Sequence, residues 1–324
     1  RGTTGSAMKM SQPSLVTLRA LVPSLAWSAY KGQAGKVAVV GGCFEYTGAP
    51  YYAAVSALKL GADLSHVFCD AQAALPIKGY SPELIVHGCL QGDDYTGSPS
   101  AQQQADAIIK WFPALTALVV GPGLGRDPRL QEVAGLVIER AVADGLPCVI
   151  DADGLRVVMD NPSLVHGSAW IVLTPNRAEF RRLLAAILPG EEEALDDPEG
   201  QVMRMSSALG GPLIIRKGVE DIISDGKTVF SVSERGSPKR SGGQGDVLAG
   251  CTATLLSWAK AGGADRLSAS AEASAAMLAA YTACMFTRRT SEEAFRRHRR
   301  AMTAPDLIEA IGPVFDELFP VDGE

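Results

Sequence analysis

The chain has 324 residues, 47% of them hydrophobic, and a formal net charge of −6. That length builds one large α/β domain or two small ones around a sizeable core. The acidic balance excludes a surface made for nucleic acid or an anionic membrane, and no apolar run is long enough to span a bilayer.

The first thirty residues read as an N-terminal extension (1–30) ahead of one domain (31–324). Residues Arg1 to Ser6 read as a processing or cloning remnant, because the chain starts at Arg1 and not at Met. Leu15 to Leu25 has helical apolar spacing and is expected to be an edge helix. Lys36-Val37-Ala38-Val39-Val40 is a β-branched run, hence a buried strand. It ends in Gly41-Gly42, and Tyr46-Thr47-Gly48-Ala49-Pro50 opens a helix with proline in its first turn. The glycines are not spaced GxGxxG, so a dinucleotide fingerprint is not supported. Strands are expected at 66–69 and 84–87, each carrying a histidine, His66 and His87, that reads as a hydrogen-bonded structural residue. A helix is expected over 98–112, and Ala117-Leu118-Val119-Val120 is the next strand.

The alternation of strand and helix continues. A helix covers 130–143 and a strand 147–150. Another strand at 170–173 leads into a helix running through Leu184. A strand at 212–215 precedes a hairpin, 221–224 and 228–230, turned at Asp225-Gly226. The remainder is helical, with Thr303 and Pro305 starting the last helix. This pattern predicts a three-layer α/β fold with a mostly parallel sheet. The acidic insert at 190–200 has no place in it. The six cysteines, Cys43, Cys69, Cys89, Cys148, Cys251 and Cys284, show no metal spacing and fit a reducing compartment, cytoplasmic or mitochondrial.

Four polar or glycine-rich loops fall at strand carboxyl ends, where open α/β sheets bind ligands: 121–126, 151–154, 174–179 and the turn at Lys217. They are followed by Gly242-Gly243-Gln244-Gly245-Asp246, directly ahead of an apolar helix. Glycines at a helix start free backbone N–H groups to converge on an anion. A carboxylate there repels phosphate unless it has a task, and deprotonating an attacking hydroxyl is such a task. The bland alternative is a tight turn with an acid placed well for the helix dipole.

The stretches KGQAGKVAVVGGCFEYTGAPYYAA, LKLGADLSHVFC, YSPELIVH, VVGPGLGRD, VIDADGL, LTPNRAEF and GGQGDVLAG resemble the ribokinase-like superfamily. Within it they resemble the eukaryotic ATP-dependent NAD(P)H-hydrate dehydratases, from about Lys31 to the C-terminus. The resemblance implies a ribokinase-like fold and ATP-driven removal of water from a hydrated nicotinamide ring. Phosphorylating the ring hydroxyl turns a poor leaving group into a good one. By resemblance Asp246 is the base, and Gly242, Gly243, Gln244 and Gly245 cradle the transferring phosphoryl group. The implied nucleotide segments are Lys217, Gly218, Val219, Glu220 and Asp221, then Gly236, Ser237, Pro238, Lys239, Arg240 and Ser241 up to Gly245. The implied hydrate-binding residues are Gly123, Asn176, Arg177, Ala178, Glu179, Phe180, Arg181, Arg182 and Asp246.

Asn176 and Glu179 match the superfamily's NxxE pattern, which implies Mg²⁺ held mostly through waters. A helix cap with a first-turn acid is their alternative. Tyr46, Thr47 and Gly48 line the hydrate pocket or cap a helix. The basic run from Arg288 to Arg300 reads as a solvated helix face, with a subunit contact in a homo-oligomer as the other option. Two competing functions stand beside this one: a small-molecule kinase of the same superfamily, which shares the GGxGD and NxxE motifs, and a non-catalytic nucleotide-binding protein, which would tolerate loss of Asp246. The expected partners are the NADH or NADPH hydrate and ATP.

Overall fold

Runs of β-branched and aliphatic residues set the frame. In the computed structural model, which describes residues 8–191, 197–267 and 273–321, they form one sheet of ten strands among the described residues. These are β1 (Met8–Lys9), β2 (Lys36–Val40), β3 (Leu64–Asp70), β4 (Ile85–Leu90) and β5 (Ala117–Val120). The other five are β6 (Cys148–Ile150), β7 (Ile171–Leu173), β8 (Leu213–Arg216), β9 (Asp221–Ser224) and β10 (Thr228–Val232). Their spatial order is β1-β10-β9-β8-β7-β6-β5-β2-β3-β4. Every neighbouring pair is parallel except β8–β9 and β9–β10.

Side chains alternate between two cores, one on each face of the sheet. Val37, Val39, Val119, Val149 and Val172 face one; Ala38, Val40, Leu118, Val120, Ile150 and Leu173 face the other. Both faces are dry, which is why these strands read as continuous apolar runs. The first core is covered by the helices Gly48–Leu60, Gln244–Trp258, Ala275–His298 and Ala304–Leu318. The second lies under Ala101–Ile109, Pro128–Ala143, Gly154–Asp160, Arg177–Ile187 and Pro198–Ala208. Each fully buried aliphatic side chain contributes roughly 1.5–3 kcal/mol relative to exposure.

The helix Gln244–Trp258 is buried from Val247 to its end. A Cβ on its Gly250 would stand 2.1 Å from the Ala53 carbonyl oxygen, so glycine permits its close approach to the helix Gly48–Leu60. That packing fixes where the glycine-rich N-terminus points.

The strand order reverses between β2 and β5. The chain goes outward from β2 to β4, then returns beside β2 and continues the other way. Crevices open at the carboxyl ends of strands at such a reversal. The loops after β2 and β5 are stitched together there, Gly42 N–H to the Pro122 carbonyl at 3.0 Å and Cys43 N–H to Gly123 at 2.8 Å.

Two expected helices are shorter than read. The edge helix expected over 15–25 is only Leu15–Arg19, because Pro23 biases its predecessor out of the helical region. The helix expected over 98–112 is Ala101–Ile109, started by a capping box between Ser100 and Gln103. The remnant expected at Arg1 to Ser6 and part of the acidic insert, 192–196, lie outside the described residues.

Candidate active site

Two cavities lie along the carboxyl edge of the sheet, of about 900 and 500 Å³. Both are lined by Ala152 and Asp246. The larger sits at the reversal point, between Cys43, Phe44, Glu45 and Tyr46 after β2 and the segment Gly123 to Asp127 after β5. The smaller lies between the turn at Lys217, the loop around Gly236 to Ser241, and the N-terminus of Gln244–Trp258.

That N-terminus has no side-chain cap. Gly243 is the N-cap residue at φ 89°, a left-handed conformation suited to glycine. A Cβ on Gly243 would lie 2.5 Å from Ala304 Cβ and 2.9 Å from Tyr52 Cδ2, whereas one on Gly242 would meet open space. Gly242 therefore faces the cavity and Gly243 faces packed protein. The Gln244 side-chain amide donates to the Lys239 carbonyl and to Ser241 Oγ, both at 2.9 Å, and ties the preceding loop to the helix start.

Asp246 occupies the first helical turn, half-buried, where the cavities meet. Burial pushes its carboxyl up to about 8, helped by the Asp151 and Glu179 charges and opposed by Lys217. Lys217 Nζ donates to Asp151 Oδ1 at 2.8 Å. Burial works against that ammonium, but Asp151, Glu179 and Asp246 more than offset it and raise its pKa. Three carboxylates thus surround one lysine. The surplus negative charge calls for a further cation. Among the described residues no three acidic, histidine or cysteine groups are placed to cage a metal directly. The donor set suits a cation held through waters and phosphate oxygens.

Asn176 and Glu179 form a reciprocal capping box. Asn176 Oδ1 accepts from the N–H groups of Ala178 and Glu179 at 2.9 and 3.0 Å, and Glu179 Oε2 accepts from Asn176 N–H at 2.7 Å. The capping alternative is thus realised. Both residues also line the smaller cavity, and burial raises the Glu179 carboxyl, with Lys217 pulling the other way.

The structure gathers Lys217, Gly218, Asp221, Gly236, Ser237, Arg240, Ser241, Gly242, Gly243, Gln244, Gly245 and Asp246 around the smaller cavity. Val219 and Glu220 are exposed and line neither cavity; the same holds for Pro238. Lys239 contributes its backbone, bonded to Ser237 and Gln244. Gly123 lines the larger cavity. Of the segment assigned with it to the hydrate, Arg177, Ala178, Arg181 and Arg182 are exposed and line neither cavity. Phe180 is turned into the core, with the Arg216 guanidinium 5.5 Å from its ring centroid.

Sequence reasoning missed Thr287, Arg288 and Ser291 on the smaller cavity. Arg288 is not part of a solvated face: its side chain is 12% exposed and forms a bidentate pair with Asp221. The signal was polar side chains one turn apart, at 287 and 291, directly after a buried apolar run. Farther along, Arg296 and Arg297 do face solvent and pair with Glu293. His66 and His87, read as separate structural residues, bond each other at 3.1 Å, stack with Phe68 and lie tilted against Trp111.

Residues 37–313 match the family described as NAD(P)H-hydrate dehydratase. The human ATP-dependent (S)-NAD(P)H-hydrate dehydratase is 46% identical over 313 residues, 97% of this chain and 86% of that protein. A ribokinase-like superfamily protein from Enterococcus faecalis superposes with a TM-score of 0.73 at 18% identity, covering 99% of each chain. The ADP/ATP-dependent NAD(P)H-hydrate dehydratase of Bacillus subtilis, co-crystallised with ATP and Mg²⁺, gives 0.64 at 16% identity over 94% of this chain and 97% of its own. The fold is therefore ribokinase-like, and with a family match across most of its length and a relative of this identity, the chain belongs to the NAD(P)H-hydrate dehydratase family.

Proposed function

We propose that this protein uses ATP to remove water from the S-epimer of NADH or NADPH hydrate, releasing NAD(P)H, ADP and phosphate. The observation that carries the reading is Asp246, set in the first turn of a glycine-started helix where two ligand-sized cavities meet. ATP occupies the smaller cavity, with its terminal phosphoryl group against the N–H groups of residues 242–245. The hydrate occupies the larger, with its ring hydroxyl toward Asp246. The helix N-terminus favours the anion, and one well-aimed donor is worth about 3 kcal/mol where charge develops.

Asp246 accepts the hydroxyl proton as that oxygen attacks the γ-phosphorus and ADP departs. The ring nitrogen lone pair then expels phosphate, and loss of the neighbouring carbon's proton restores the reduced ring. A base near pH 8 is well matched to this work at neutral pH. Lys217 shields the Asp246 carboxylate from the incoming phosphate. Mg²⁺, which Asn176 and Glu179 would hold through waters, would neutralise charge on the transferring group. Residues 31–324 are taken as one catalytic domain, onto which the preceding segment packs through the Met8–Lys9 strand beside β10 and the buried Leu18 and Leu21.

The test is to incubate purified protein with hydrate and ATP while following reduced-nicotinamide absorbance and free phosphate. Both should rise together and only with nucleotide present. A stable phosphorylated product without absorbance recovery would instead identify a small-molecule kinase, and absence of turnover would leave a binding protein.

A further inference from the structure

We infer that Arg288 is a positioning residue for the nucleotide, a strut that sets both walls of the smaller cavity without touching the ligand. Its Nε donates to Asp221 Oδ2 at 2.7 Å and its Nη2 to Asp221 Oδ1 at 2.8 Å. Nη2 also donates to the Gly218 carbonyl at 3.0 Å. Nη1 donates to the Val219 carbonyl at 2.7 Å and the Glu234 carbonyl at 2.9 Å. A guanidinium has five N–H donors, and every one is spent on the protein. Arg288 lines the cavity yet has no donor left for phosphate.

The partners come from two separate stretches. Gly218 and Val219 belong to the turn between β8 and β9, Asp221 opens β9, and its Oδ1 also accepts from Gly218 N–H at 3.0 Å. Glu234 lies where the chain leaves β10 for the loop ending at the phosphate cradle. That loop passes over the arginine stem: a Cβ on Gly236 would lie 3.6 Å from Arg288 Cγ. One side chain from the helix Ala275–His298 thus holds in register the two loops that face each other across the smaller cavity. No residue that lines only the larger cavity is bonded to it. Losing the strut should therefore weaken nucleotide binding and spare the hydrate. Lysine cannot replace it, since three donors on a single point charge do not span these five acceptors.

This inference rests on ATP occupying the smaller cavity, so it is tested by direct ATP binding on the full chain as well as by turnover. The single change Arg288→Gln would strand a buried Asp221 carboxylate. The double change Asp221→Asn with Arg288→Gln removes both charges. It is expected to melt cooperatively, to raise the calorimetric Kd and the KM for ATP about tenfold or more, and to leave the hydrate KM and saturating kcat within about threefold. Arg288→Lys should give the same split, and it carries the test if the double variant does not fold. A folded variant with ATP Kd within twofold of the unsubstituted protein overturns the strut. Equal losses in ATP and hydrate binding overturn its nucleotide specificity. Failure of the parent reading looks different: the unsubstituted protein itself would bind no ATP.

Discussion

Asp246→Asn is expected to stabilise the protein while abolishing its chemistry. The carboxyl is pushed from 3.8 to about 8 by burial and by Asp151 and Glu179. An acid whose folded pKa is raised binds its proton more tightly folded than unfolded. Its stability contribution is complete below about pH 4 and is lost as pH rises to about 8. At pH 7 the loss is about 1.4 kcal/mol for each of roughly three pH units, or about 4 kcal/mol. The group is half-buried at a cavity mouth, so solvent screening brings this to about 2–4 kcal/mol. An amide of the same shape does not titrate and escapes that loss. For a chain of this size about 2 °C per kcal/mol translates it into a melting temperature about 4–8 °C higher. Thermal melts of both proteins between pH 5 and 9, without nucleotide, measure it. The gap should widen with pH and flatten above about 8. Turnover should fall by about 10²–10⁴, with ATP affinity nearly intact. A variant no more stable than the parent at pH 7.5, or a gap independent of pH, would refute the strained-carboxylate argument. Retention of more than about a third of the rate would refute the base.

Glu179→Gln keeps the capping box, which accepts glutamine at that position, and removes only charge. The melt should stay within about 2 °C, the Mg²⁺ requirement should move to higher concentration, and the acid limb of kcat/KM should shift down because a charge that raises Asp246 is gone; an unmoved limb and metal requirement would leave Glu179 a cap alone. Gly242→Ala puts a methyl group into the open cavity, so turnover should drop at least tenfold with the melt preserved; full activity would argue against a backbone cradle. Gly243→Ala is instead a stability lesion, since φ 89° and Ala304 resist a side chain, and its melt should fall by several degrees first. The His66–His87 pair should make the fold acid-sensitive: burial holds His66 at about 4, so stability present above pH 6.5 is lost toward pH 4, by up to about 3 kcal/mol. Urea midpoints of His66→Gln across that range should slope less than those of the parent, and equal slopes would place the sensitivity elsewhere.

What could be read in the chain follows from how local each signal is. Ala117–Val120 is a strand because four consecutive apolar residues are buried on both faces, and no partner need be known to see it. The cradle is legible for the same reason: glycine freedom, helix start and carboxylate lie within five consecutive residues. The Asn176–Glu179 pair was legible only as a choice, because one spacing serves both a cap and a water-held cation. Phe180 follows Glu179 in sequence but turns inward, as an amphipathic helix requires. The two-residue strand Met8–Lys9 has no periodicity to detect. Arg288 was hidden because its acceptors lie 54 to 70 residues away, and a basic run at helical spacing gives no hint of which member turns inward. The meeting of Cys43 with Gly123 depends on the reversed strand order, which no local pattern encodes.

The same limit explains Asp151-Ala152-Asp153, which reads as a polar strand end at the ligand edge with its two acids free to serve a metal or the strand end alike. In an extended strand residues two apart point the same way. Here they serve opposite sides: Asp151 accepts from Lys217 at 2.8 Å beside the smaller cavity, and Asp153 accepts from Gly125 N–H at 2.9 Å beside the larger. The turn between them is Ala152 at φ 49°, a left-handed conformation that costs an alanine roughly 1–2 kcal/mol. Ala152 borders both cavities together with Asp246. Its strained backbone is what lets one tripeptide hold the lysine beside the smaller cavity and the glycine loop beside the larger. A phosphoryl group passing between two ligands needs a dividing wall only a residue or so thick, and a chain reversal at one small residue supplies it. Strain stored at such a point is expected of a working site and has no purpose in a plain strand ending.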